Sequence, residues 1–138
     1  MKTYKGLISK LSPHQIYVFG SNVEGRHGKG AALLAKKKFG AIQGRNCGRW
    51  GQSYAITTKD LRAKVHPSYP KYHIRMQIEW LYEYARAYKE LEFFVAYSGT
   101  GTNLNGYSNK EMAFLFNDLN IPPNMVFEEE FAKLIKSI

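Results

Sequence analysis

The sequence predicts an α/β fold, a mostly parallel sheet with helices on both faces. Three observations lead there. Short apolar runs rich in β-branched and aromatic residues alternate with stretches of helical periodicity, the pattern of parallel strands joined by crossover helices. Two of those runs end in glycine-rich segments that lead into a helix, GSNVEGRHGKGAA after IYVF and SGTGTNLNGYS after FFVAY. The chain has 138 residues, which suits a single domain, 1–138, whose core needs no covalent staple.

Taken in order, Tyr4–Ile8 is a candidate edge strand. Ile16–Phe19 (IYVF) is a buried strand. A helix follows over 30–39, with Ala31, Leu34, Ala35 and Lys38 on one side and Gly40 as its stop. Lys36, Lys37 and Lys38 sit in its last turn, where the helix dipole favours cations. Residues 53–58 (SYAITT) form a second strand. Residues 59–71, with Pro67 and Pro70, form a loop. The longest helix spans about 72–90, because Ile74, Ile78, Leu81, Ala85 and Tyr88 make one apolar stripe. Phe93–Tyr97 (FFVAY) is the third core strand. Ser108 and Glu111 form a capping box that opens a helix over about 108–118, with Met112, Leu115 and Phe116 inward. Met125–Phe127 is the last strand, and a helix over about 129–136 follows it.

Charge is unevenly placed. Residues 26–75 hold twelve Lys/Arg against one acid, Asp60, whereas the rest of the chain holds eight basic and ten acidic residues. One segment therefore carries the whole excess and should attract phosphates, as a nucleotide, a nucleic acid or both. Solubility with weak polyanion contact is the competing reading for the lysines outside the first glycine loop. No stretch approaches the ~20 apolar residues of a membrane span, so no membrane partner is expected. MKTYKGLISKL lacks the long apolar core and small-residue cleavage site of a signal peptide. Cys47 is the only cysteine; it excludes an internal disulfide and favours a reducing, cytoplasmic setting. His14, His27, His66 and His73 are scattered, without zinc spacing. Neither a metal nor a cofactor is expected.

In parallel sheets the ligand lies outside the carboxyl ends of the strands. The segments after IYVF, SYAITT and FFVAY should therefore converge on one crevice. Glycine-rich strand-to-helix loops present backbone N–H groups to phosphate, and the helix N-terminus adds positive potential. Two such loops side by side can hold a diphosphate. Single-loop motifs do not fit. The nearby GK is followed by Gly30 where a Walker A has Ser or Thr, and Leu33 stands where a Rossmann fingerprint needs glycine.

The ordered set F-G-S-N-x-x-G-R-H-G-x-G-A-A followed by F-G-A, then G-x-x-G-x-S-Y-A-I-x-T-K-D, then a glycine loop ending N-G-Y-S resembles macrodomain-like proteins of bacteria and phages. It is also similar to the macrodomain branch that removes terminal ADP-ribose from proteins. In that branch the matching stretches are Gly28–Ala32, Lys36–Gly40, Ile56–Lys59 and Gly99–Leu104. The resemblance covers about residues 15–127. It implies a three-layer α/β/α macrodomain-like fold that binds ADP-ribose or an ADP-ribosylated macromolecule, either as a hydrolase or phosphatase or as a non-catalytic reader.

The resemblance also implies residue roles. Gly20 and Ser21 end the first strand, and Asn22 would bond the distal ribose; a left-handed turn residue is the competing reading for Asn22. Gly28, Gly30, Ala31 and Ala32 would let helix backbone approach the ligand. Ser98, Gly99, Thr100, Gly101, Thr102 and Asn103 would wrap the diphosphate. Phe127 would stack on adenine, with core packing as the favoured alternative. Lys59 would attack the distal ribose, its amine made nucleophilic by burial or by the neighbouring cations Arg62 and Lys64. A solvated strand-end lysine is the plainer reading. His27 is the second catalytic candidate; it and Arg26 could contact a phosphate or scissile group, or lie on the surface. Two departures favour binding over hydrolysis. The branch's acid after the last glycine loop is missing, with Asn105 and Gly106 in its region, and asparagine cannot act as a general base. Leu7 stands where the branch has an adenine-reading aspartate. SYAITTKD also carries one residue more than the branch's I-T-K. The reading from another class is a basic nucleic-acid module built on 26–75, with exposed Arg49, Trp50 and Tyr54 stacking bases.

Overall fold

The computed structural model describes residues 1–99 and 103–138. Its elements are β1 (Lys2–Tyr4), β2 (Gln15–Asn22), α1 (Gly30–Lys38), β3 (Gly48–Trp50), β4 (Ser53–Lys59), α2 (Lys71–Ala87), β5 (Glu92–Val95), α3 (Asn109–Phe116), β6 (Met125–Glu128) and α4 (Glu129–Lys136). The strands form one sheet in the order β1, β6, β5, β2, β4, β3. Every neighbouring pair is parallel except β3 and β4. Among the described residues, no helix is long and apolar enough to cross a membrane.

Strand β2 runs between β5 and β4, and its apolar run is buried on both sides. Ile16 and Val18 join the larger core, packed with Ile74, Ile78 and Leu81 of α2, Leu115 and Phe116 of α3 and Phe131 of α4. Tyr17 and Phe19 face the other way, onto Ala32 and Ala35 of α1 and onto Phe39. Burial on two faces explains why IYVF is apolar without alternation. Each fully buried Ile or Leu contributes about 1.5–3 kcal/mol.

Several boundaries differ from the sequence reading. The edge strand lies at Lys2–Tyr4, not Tyr4–Ile8. Tyr88 is the exposed C-cap of α2 and not part of its buried stripe. Lys38 is exposed; Ala32 takes its place on the buried side of α1. The hairpin strand β3 has no sequence counterpart: Gly48, Arg49 and Trp50 carry no apolar periodicity. Gly51, at φ +58, turns the chain back into β4. Tyr54 is buried and packs on Tyr84, so it cannot stack an incoming base. The capping box is present as read, with Ser108 accepting from Glu111 N–H and the Glu111 carboxylate accepting from Ser108 N–H.

Two irregularities in β4 position the site. β3 stops opposite Ala55, leaving Thr57 without a strand on that side. Gln77 of α2 fills the gap: its Oε1 accepts the Thr57 N–H at 2.8 Å and its Nε2 donates to the Thr57 carbonyl at 2.9 Å. The β2–β4 register then shifts, pairing Ser21 with Thr57 but Asn22 with Lys59. A bulge re-aims the side chain that follows it, here Lys59.

Candidate functional site

The carboxyl ends of β2, β4 and β5 open into one cleft of about 940 Å³. Its lining includes Gly20, Ser21, Asn22, Gly28, Gly30, Ala31, Ala32, Lys59, Ser98 and Asn103, so these sequence-selected residues come together. Thr100, Gly101 and Thr102 lie outside the described residues. Gly99 is exposed and does not line the cleft.

Besides Gly99, His27 and Phe127 do not reach it. His27 is fully buried beneath the first loop. Its Nε2 stands 3.1 Å from the carbonyls of both Ile42 and Arg45, its N–H donates to Gln43 Oε1, and its ring packs edge-on against Phe19. It holds loop 41–45 to the loop after β2 and is not placed for catalysis. Phe127 is likewise completely buried, behind Phe116 and Phe131. Those two rings line the cleft, while Phe127 has the core-packing role favoured for it. The inward position of 127 follows from β6 being buried on both faces.

The first loop is built from local bonds. Asn22 Oδ1 accepts the Arg26 N–H and Asn22 Nδ2 donates to the Arg26 carbonyl, both at 2.8 Å. The side chain thus closes the turn at residues 22–26 while still facing the cleft. Asn22 is not left-handed: among the described residues only glycines have positive φ. Gly25, at φ +68, lies against Gly44; a Cβ there would sit 2.5 Å from the Gly44 carbonyl carbon. Gly28 has open space around it. Helix α1 starts at Gly30, with no side-chain cap and no acid in its first turn, so its first N–H groups have no acceptor within the helix.

The loop after β5 is knitted by asparagines. Asn109 donates to the Ser98 carbonyl, and Asn103 Nδ2 donates to the Tyr107 carbonyl and to Asn109 Oδ1, each at 3.0 Å. Asn105 Oδ1 accepts the Tyr107 N–H at 2.8 Å. Asn105 is therefore a loop-forming residue. Leu104 reaches across toward Gly30, whose Cβ, if present, would meet it at 3.3 Å.

The cleft is asymmetric along the sheet. At the β1–β6 end it is lined by Tyr4, Leu7, Ile8, Tyr97, Met112, Phe116 and Phe131. Tyr4 donates to the Val95 carbonyl at 2.6 Å, and burial pushes its hydroxyl well above the usual tyrosine range. At the β4 end stand Arg26, Lys29 and Lys59. Burial, and then the charge of Lys29, lower the Lys59 pKa from the ordinary lysine value. The neighbours expected from sequence do not do this. Arg62 is held by Asp60 and lies near Glu24. No carboxylate or imidazole is found among the described lining residues. Sequence reasoning missed Lys29 as a tuning charge because its proximity to Lys59 depends on α1 starting beside the end of β4.

An apolar pocket at one end, open backbone in the middle and cations at the other suit an elongated anion with an aromatic head. No protein-family model matches the chain, and no curated protein or solved structure matches it.

Proposed function

We propose that this cleft binds ADP-ribose, in a macrodomain-like three-layer domain, and that Lys59 is placed to release ADP-ribose from a modified macromolecule. The supporting observation is the order of chemistry along the sheet. Four strand spacings separate β1 from β4, about 19 Å at ~4.8 Å each, the scale of an extended nucleotide diphosphate sugar. Phe116, Phe131 and Tyr97 suit the base. The mouth formed by Gly28–Ala32 and by the loop after β5 suits the diphosphate, where the α1 N-terminus and Lys29 supply positive potential. Asn22 and Lys59 then face the distal ribose.

Lys59 is the reactive group this arrangement favours. A lysine with a lowered pKa keeps a larger fraction of free amine near neutrality. That amine attacks the anomeric carbon as its bond to the macromolecule breaks, and the macromolecule leaves with the proton. Water then cleaves the lysine–ribose bond to free ADP-ribose. Among the described residues the lining carries no carboxylate to activate water. If Lys59 does not react, the same geometry serves a reader.

Titration calorimetry with free ADP-ribose tests the binding. Gly28→Glu, whose Cβ meets nothing within 4 Å, places a negative charge in the diphosphate mouth and should abolish the heat without unfolding the protein. Absence of binding by the folded wild type at millimolar ligand ends the reading. Turnover of ADP-ribosylated protein or DNA, lost in Lys59→Ala, then separates hydrolase from reader.

A further inference from the structure

We propose that the cationic end of the cleft continues onto a track for a single nucleic-acid strand, so that the group entering the cleft is carried by a polynucleotide. The occupant of the cleft rests on the ADP-ribose reading above; the track rests on other residues.

The first reason is charge left uncompensated. Within the basic segment, Arg62 pairs with Asp60, Lys71 with Glu111, and Arg75 with Glu79 and Asp118. Arg26, Lys29, Arg45 and Arg49 have no carboxylate partner among the described residues. Arg49 is held by the Gly51 carbonyl at 3.1 Å and the Tyr84 hydroxyl of α2 at 3.2 Å, which places it on the α2 face and off the track.

The second reason is continuity. Ser21 lines the cleft and donates to the Asn46 carbonyl, which Thr57 Oγ1 also reaches at 2.8 Å. Gly44 N–H donates to the Gly25 carbonyl at 2.8 Å. The loop carrying Arg45 is thus bonded to the rim that carries Arg26.

The third reason is an aromatic among these charges. The Arg45 guanidinium carbon stands 5.0 Å over the half-buried Trp50 ring; Arg49, the residue before it on β3, turns to the opposite face, toward Tyr84 of α2. Phosphate-binding cations beside an indole suit an unpaired strand, whose bases can stack; paired bases cannot. An acidic peptide would use the charges but not the ring.

The test uses fluorescence anisotropy with four probes: free ADP-ribose as competitor, plain oligo-dT of about twelve nucleotides, the same oligonucleotide bearing one ADP-ribosyl group, and an ADP-ribosylated acidic peptide. The oligonucleotide conjugate should bind at least ~10-fold tighter than ADP-ribose at low salt, with a log–log salt slope near −0.7 per phosphate engaged. Arg45→Glu should remove most of that gain and reduce the slope by about 0.7, leaving free ADP-ribose affinity unchanged, whereas Arg49→Glu, on the other face, should leave the gain in place. Trp50→Ala, checked by circular dichroism, should lose about 5- to 10-fold on the conjugate. A conjugate no tighter than ADP-ribose, a gain that survives Arg45→Glu, or an equal gain with the peptide overturns the track. Plain oligo-dT binding that Arg45→Glu weakens, with no ADP-ribose binding, supports the track and fails the cleft reading alone. Binding of neither overturns both.

Discussion

Replacing Gly25 by alanine separates glycines that shape the first loop from those that open it to a ligand. At φ +68 an alanine costs roughly 1–2 kcal/mol. Its Cβ would lie 2.5 Å from the carbonyl carbon and 2.8 Å from the Cα of Gly44. Both are backbone atoms, so the loops must part, at about 1–3 kcal/mol for such overpacking. Reduced freedom of the unfolded chain returns ~0.4–1 kcal/mol. The net loss is about 3 kcal/mol. With an unfolding entropy of roughly 2.1 cal/mol/K per residue, a chain of 138 residues should lose about 10 °C in Tm. Urea and thermal melts measure this, with Gly28→Ala as the comparison. Gly28 has no positive φ and nothing within 4 Å, so its alanine variant should melt within about 2–3 °C of wild type. A Gly25→Ala protein as stable as wild type would refute the close contact between loops 23–29 and 41–46.

Gln77→Ala strips the Thr57 N–H and carbonyl of buried partners and should cost about 2–4 kcal/mol in urea unfolding; a loss below ~1 kcal/mol would mean that Gln77 does not complete the sheet edge. Lys29→Gln removes one of the two causes that lower the Lys59 pKa. The pH profile of Lys59 amine labelling, read by peptide mass spectrometry, should move to higher pH, and an unmoved profile would dismiss Lys29 as a tuning charge. Burial raises Tyr17 and Tyr54 from 10.0 to about 12. The folded state keeps these protons at pH values where the unfolded chain has lost them. Their contribution to stability is full below pH 10 and is lost as pH climbs through about 12. Tyrosinate absorbance and denaturant midpoints across that window check the sign.

Much of the architecture was written locally. The β2 run is apolar at every position because both its faces are covered, and the α2 stripe Ile74, Ile78, Leu81 and Ala85 is buried as its spacing requires. The capping box at Ser108 needed only four residues to be recognised. β3 was illegible because a three-residue edge strand gains its ladder from β4, not from its own side chains. Phe127 takes its favoured reading, core packing, whereas His27 is buried, neither in the cleft nor on the surface, for a related reason. Polarity and position in the chain put a residue near a loop or strand end, but only packing decides which face it turns to.

The sequence by itself determined where bare backbone ends a strand and begins a helix, and that positive charge gathers in one segment. Periodicity, glycine content and charge are properties of neighbouring residues. Only the packed fold sets Lys29 near Lys59, lines the cleft with Phe116 and Phe131 rather than Phe127, and pairs Lys59 with Asn22 across a bulge. Each of these depends on the order of strands in the sheet, and the energies that choose that order lie between segments far apart in the chain.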